Sequence, residues 1–143
     1  MVKLLNTTLQ DAGYSLTQPR QKTFKALLNK QPQSMHEIIR SVPDVDRASV
    51  YRSIELFEKL GIVHRLPIGF KYKLELSDLF LEHHHHMVCR NCGKTEDMPV
   101  SQPLEQLIVA TAHAYGYHDP VHILEVQGLC DECWQKISTR TNG

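Results

Sequence analysis

Residues 46–76 read DRASVYRSIELFEKLGIVHRLPIGFKYKLEL, and the period of their apolar residues changes once along that stretch. Val50, Ile54, Phe57 and Leu60 recur at the spacing of one helix face. Asp46 stands where an N-cap carboxylate would accept an orphan backbone amide, and Gly61 stands where such a helix would stop. The pattern predicts a helix over 47–60. Ile62 and Val63 then open a strand, and Pro67-Ile68-Gly69 reads as a turn. Phe70, Tyr72, Leu74 and Leu76 alternate with Lys71, Lys73 and Glu75, the two-residue period of a half-buried strand. A helix feeding a two-stranded hairpin is the closing half of a winged helix.

Working upstream, Leu5, Leu9 and Ala12 mark a helix over 4–12 that Gly13 ends. Thr17 and Pro19 open another, with Phe24, Leu27 and Leu28 on one face. Ser34 and Glu37 form a capping-box pattern ahead of a short helix that turns Ile38 and Ile39 inward, and Pro43-Asp44 reads as a turn. Residues 1–76 are therefore expected to be a winged-helix domain. Downstream, Ser77–Glu82 reads as a hinge, although Leu79, Phe80 and Leu81 need burial. Strands are expected over 94–100 and 121–127. A helix should run from Ser101 and Pro103 to about Tyr115, with Leu104, Leu107, Ile108 and Thr111 on one side, and a last helix over 131–139. The fold class is α+β, with residues 83–143 forming a second α/β domain.

The chain of 143 residues carries no net charge, but the balance is uneven. Residues 1–76 hold 12 Lys and Arg against 7 Asp and Glu, and residues 77–143 hold 4 against 9. The first half is the one suited to a polyanion. No stretch approaches the ~18 apolar residues of a membrane span. The N-terminus lacks the long apolar region of a signal peptide, so a cytoplasmic protein is expected.

That compartment disfavours disulfides and frames the four cysteines. Cys89 and Cys92 form one C-x2-C pair, Cys130 and Cys133 a second, and 37 residues lie between the pairs. Two such pairs complete a closed tetrahedral S4 site, which favours structural zinc, with iron the lesser candidate. A redox C-x2-C motif explains only one pair, whereas a zinc site uses every cysteine in the chain.

His83, His84, His85 and His86 directly precede the first cysteine pair. The run sits inside the chain, which argues against an expression tag. In an extended strand His83 and His85 face one way, His84 and His86 the other, so one strand could feed two metal sites. Candidate oxygen ligands are Glu75, Asp78 and Glu105; further imidazoles are His36, His64, His113, His118 and His122.

Together these features resemble the ferric uptake regulator (Fur) family over nearly the whole chain. The matching motifs are Thr17-Gln-Pro-Arg20, Ala48-Ser-Val-Tyr-Arg52, the run His83–His86, Cys89-Arg-Asn-Cys92-Gly93 and Cys130-Asp-Glu-Cys133. The resemblance implies a homodimeric repressor of metal homeostasis in which the helix 47–60 enters the major groove of a near-palindromic operator. Tyr51 and Arg52 would meet bases, and Arg20, Arg47 and Ser49 the DNA backbone. Ser15 stands where members often carry a Lys that enters the minor groove. The four cysteines would hold structural Zn2+. A hinge site would use His84 and His86 with Glu75 and His64, or with His36 in place of His64. A second regulatory site would use His83, His85, Glu105 and His122. The regulatory ion would be Zn2+ or Fe2+, with Mn2+ a further candidate; the all-His run leans towards zinc, because iron-type members often place Asp where His85 stands. Competing readings are a peroxide-sensing repressor of the same family, a zinc-ribbon adaptor for protein partners, and an enzyme. The enzyme reading lacks an H-E-x-x-H or comparable hydrolase motif.

Overall fold

The computed structural model describes residues 1–28 and 31–141. They fall into two compact units, Met1–Glu82 and His83–Gly143. The first holds four helices and a hairpin: α1 (Val2–Asp11), α2 (Gln18–Leu27), α3 (Met35–Ser41), α4 (Arg47–Lys59), β1 (Val63–Ile68) and β2 (Lys71–Leu76). Helices α3 and α4 begin at residues whose side chains cap them. Thr17 is the N-cap of α2, with Pro19 in the first turn, where its missing N–H costs nothing. Ser34 and Glu37 close a reciprocal capping box on α3. The Asp46 carboxylate accepts the Ser49 amide at 2.9 Å and starts α4. Gly61, at φ +66°, ends α4, and the Ile62 amide returns to the Phe57 carbonyl at 2.8 Å.

The core of this unit centres on Phe24, which meets Phe57 edge-on at 6.3 Å and Phe80 at 5.0 Å. Leu5, Leu9, Ile38, Val50, Ile54, Leu74 and Leu76 pack around them. The apolar residues of 77–82 find their burial here. Turn hydrogen bonds from Phe80 and Leu81 to the Ser77 carbonyl drop Phe80 into the core, Leu81 packs at its edge, and Leu79 stays exposed. An isolated bridge pairs Gln33 with Leu74 at the outer edge of β2.

The hairpin differs from expectation at its turn. Pro67 and Ile68 lie in β1, paired with Tyr72 and Lys71, and the connection is the two residues Gly69 and Phe70. Gly69 takes φ +58°, as the first position of a type II′ turn requires. Phe70 is therefore a fully exposed turn residue and not the first residue of a strand. A two-stranded ribbon has free edges, where a proline removes no ladder bond.

The second unit holds β3 (His85–Cys89), β4 (Thr95–Met98), α5 (Gln102–Ala114), β5 (Glu125–Gly128) and α6 (Asp131–Thr141). Its sheet has the order β4-β3-β5, with β3 antiparallel to β4 and parallel to β5. Two expectations need correction. The strand expected over 121–127 is ordered as strand only from Glu125, and Val121 and Ile123 lie exposed ahead of it. No residue of α5 is buried: Leu104 and Ile108 are half-buried, and Leu107 is 64% exposed. Among the described residues its apolar stripe is covered only in part. No helix among the described residues is long and apolar enough to cross a membrane.

Candidate metal centres and the recognition helix

The four cysteines converge because the parallel pairing of β3 and β5 sets Cys89 opposite Gly128, two residues before Cys130. A tight turn closed by Gly93, at φ +75° with its amide on the Cys89 carbonyl, brings Cys92 back beside Cys89. Cys133 follows in the first turn of α6. All four sulfurs lie within 4.8 Å of one another, and Cys92 and Cys130 are 3.8 Å apart. The edge of a tetrahedral zinc–thiolate site, with Zn–S near 2.3 Å, is about 3.8 Å. The Cys130 amide donates to Cys89 Sγ at 3.4 Å, and with the turn amides this lowers the Cys89 thiol to about 6. Asn91 donates its side-chain amide to Cys133 Sγ at 3.2 Å and draws that thiol down. The adjacent Cys130 thiol and burial outweigh it, leaving Cys133 at about 11. This donor set fits zinc: four soft sulfurs, no open position, and N–H donors already aimed at two of them.

The histidine run alternates as a strand should. His83 and His85 point to one face, where Glu105 in the first turn of α5 and His122 ahead of β5 meet them. The Nε2 atoms of His85, His122 and His83 stand 2.6, 3.3 and 3.5 Å from the Glu105 carboxylate. Every ligand atom of the four residues lies within 4.8 Å of the others. His85 is fully buried, and its hydrogen bond holds the Glu105 carboxyl below the usual carboxylate range. Three imidazoles and a carboxylate converging on one point form a ligand set of borderline hardness, suited to zinc or ferrous iron.

The opposite face carries His84 and His86, whose rings stand 4.7 Å apart at 90°. His86 Nδ1 lies 3.7 Å from Asp97, its cross-strand partner on β4. In the first unit, cross-strand pairing of β1 and β2 brings His64 Nε2 to 2.6 Å from Glu75, which is buried. His36 is exposed in the first turn of α3, and His113 and His118 are exposed with rings 6.0 Å apart. Asp78 is exposed as well. Asp97 and Asn91 were not singled out from sequence. Asn91 could have been found inside the Cys89–Cys92 turn, whereas Asp97 needed the strand register.

Helix α4 turns Val50, Ile54 and Phe57 into the core and leaves Arg47, Tyr51 and Arg52 outside. Arg52 donates to the Ser49 hydroxyl at 2.9 Å, which fixes its guanidinium along the helix. Arg20, early in α2, is half-buried; it donates to the Ser15 carbonyl at 2.5 Å and lies over the Tyr14 ring.

The sequence model of the ferric uptake regulator family matches residues 11–127, which takes in α4, the histidine run and the first cysteine pair. The chain belongs to the ferric uptake regulator family. It is 34% identical over 134 residues to the ferric uptake regulation protein of Legionella pneumophila, covering 87% of this chain and 95% of that protein. It is 30% identical over 139 residues to the peroxide operon regulator of Bacillus subtilis, covering 90% of each. The ferric uptake regulator of Vibrio cholerae, whose structure is described as showing a rearrangement of its DNA-binding domains, matches with a TM-score of 0.69 and 31% identity over 87% of this chain and 98% of that one. As a Fur-family protein the chain is a metal-responsive transcription regulator and not an enzyme. Its first unit is the winged-helix domain of that fold, and its second is the α/β domain that carries the cysteine cluster.

Proposed function

We propose that the chain is a metal-dependent repressor that binds a near-palindromic operator as a homodimer, with zinc its preferred regulatory ion. The observation that carries this reading is the convergence of His83, His85, Glu105 and His122 in the second unit. Three neutral imidazoles and one carboxylate make a nitrogen-rich set, whereas manganese and magnesium favour more oxygen ligands. Cys89, Cys92, Cys130 and Cys133 would hold the structural zinc. A second regulatory ion would be held by His64 and Glu75 from the winged-helix unit with His84 and His86 from the other. That ion supplies a coordination cross-link when bound. The hinge it would restrain is Ser77–Glu82, the segment that ends where the two units divide.

The mechanism is a population shift. Without the cross-link the two winged helices of a dimer sample many spacings, and few match two half-sites one helical turn apart. Each pair is ordered within its own unit, His64 and Glu75 2.6 Å apart and the rings of His84 and His86 4.7 Å apart, so what the ion would fix is the placement of one unit against the other. Tyr51 and Arg52 would then read base edges, with Arg20, Arg47 and Ser49 on the backbone. The second copy would cover the apolar surface of Leu107, Val109, Val121, Ile123 and Trp134, too large a set of exposed residues for a lone domain.

The likeness to the peroxide operon regulator favours a second reading, a repressor that responds to peroxide through ferrous iron in the same ligands. Counting ions by elemental analysis tests both. The wild type should hold regulatory zinc beyond the thiolate-bound ion; Glu105→Ala should lose one ion, and His84→Ala with His86→Ala another. Retention of all ions by both variants would refute the assignments. Oxidation of a ligand histidine in the iron form by peroxide would move the conclusion to the second reading.

A further inference from the structure

Helix α5 ends in a turn that doubles the chain back on itself. The Gly116 amide donates to the His113 carbonyl at 2.9 Å, and the Tyr117 amide to the Ala112 carbonyl at 3.0 Å. Gly116 takes φ +81°, the left-handed conformation that this pair of bonds requires at a helix stop. The reversal carries His118 back beside His113, in the last turn of the helix, with their rings 6.0 Å apart and tilted by 40°. Both imidazoles are exposed. Among the described residues neither ring has a hydrogen-bond or ion-pair partner, so its nitrogens are open to a ligand.

The spacing suits one shared ion. Two imidazoles on a tetrahedral metal, with metal–nitrogen bonds near 2.0–2.1 Å, have ring centroids about 5.2 Å apart. His85 and His122, in the ligand set with Glu105, stand at 5.3 Å. The turn bonds already fix the two backbones, and a small rotation of two exposed side chains brings His113 and His118 to that separation.

The surroundings favour a cation. The C-terminal end of a helix is the negative end of its dipole. Residues 95–135 contain seven Asp and Glu and no Lys or Arg, and one of those carboxylates, Asp119, follows His118 directly. No fixed positive side chain of that stretch competes for the place.

We propose that His113 and His118 form an accessory metal site, which takes an imidazole-seeking divalent ion of the nickel, copper and zinc group and leaves water in its remaining positions. Neither residue belongs to the cysteine cluster or to the two histidine–glutamate sets. With imidazole as its only protein donor, the site selects by nitrogen affinity, which rises from manganese and iron to nickel and copper. Open positions make its ion exchangeable, unlike one enclosed by four thiolates. An ion held there would clip the turn that leads to His122, four residues beyond His118.

The test uses the zinc-loaded full chain, stripped of weakly held ions on a chelating resin, and titrates Ni2+ alone. Calorimetry should show the wild type taking up Ni2+. His113→Ala or His118→Ala should weaken that uptake on the order of 100-fold, because either change leaves one attachment where there were two. In amide NMR spectra the paramagnetic ion should broaden residues 112–119 in the wild type and spare them in both variants. Zinc content, counted by elemental analysis, should be the same in all three proteins, since both side chains are exposed and neither supports the fold. If the wild type takes no Ni2+ at residues 112–119, or if both variants keep its affinity and its broadening, the proposal is overturned. If Ni2+ instead displaces zinc and broadens residues 83–86 and 122, the histidine run is the nickel site and the proposal also fails.

Discussion

Replacing Cys133 with serine should unfold the second unit and spare the first. The two units differ in what holds them. The winged-helix unit has a continuous core around Phe24, Phe57 and Phe80. In the second unit the buried side chains among the described residues are Val88, Cys89, Cys133, His85 and His86, so Val88 is its one buried aliphatic side chain. Burying a valine contributes roughly 1.5–3 kcal/mol, whereas fixing the backbone costs about 1–2 kcal/mol for each residue ordered. Structural zinc held by the four cysteines would contribute on the order of 10–16 kcal/mol at neutral pH, far more than that valine. Cys133→Ser removes one of four thiolates and leaves a buried hydroxyl beside Asn91. The chain's single tryptophan, Trp134, follows Cys133 directly and reports on this unit alone. Hydrogen exchange read by mass spectrometry should show residues 83–139 exchanging rapidly in the variant and in chelator-treated wild type, with 1–82 protected as before. Trp134 anisotropy should fall in step. Unchanged protection of 83–139 after complete zinc removal would refute the reasoning, because the unit would then be standing on contacts the structure does not contain.

Other outcomes follow from the winged-helix unit. Phe57→Ala removes a fully buried ring from the centre of the core and should cost about 3–5 kcal/mol, read as a lower urea midpoint for the winged-helix unit. The Ser34 hydroxyl and amide hold the Glu37 carboxyl below its usual range. The capping box is therefore intact above the ordinary glutamate range and is lost as pH falls through the lowered value. Ser34→Ala should cost about 1 kcal/mol at neutral pH, and Glu37→Gln should flatten the acid limb of the stability curve, both measurable by thermal melts. Arg52→Ala should lose about 1–3 kcal/mol of discrimination at one base position if the guanidinium reads a base edge, seen by competition with single-base variants of a selected duplex.

Much of this architecture was legible because local chemistry and global fold agree. Asp46, Gly61 and the Val50-Ile54-Phe57 face define α4 in sequence and in structure alike. The cysteine pairs and the histidine alternation were legible for the same reason: both periods are short and fixed by backbone geometry. The hairpin turn was misplaced because Pro67 is a turn signal in isolation, yet on a ribbon edge its missing N–H is harmless. The apolar side of α5 was legible, but not its burial: Leu104 and Ile108 are half-buried and Leu107 is exposed, since a periodic apolar stripe does not say how much of its cover lies in the same chain. The strand before Cys130 shortened at Glu125 because pairing, unlike propensity, needs a neighbour, and β3 begins its ladder with β5 only at His86. Asp97, opposite His86, was invisible until that sheet's register was known.

A regulatory ion at the histidine run is proposed to control DNA binding. The direct test keeps the thiolate-held zinc in place and follows fluorescence anisotropy of a selected duplex while Zn2+, Fe2+ or Mn2+ is titrated. Coupling of the usual size would raise DNA affinity by roughly 5- to 150-fold, with zinc acting at the lowest concentration, and that gain should vanish in His84→Ala with His86→Ala. DNA affinity indifferent to every ion would contradict the account.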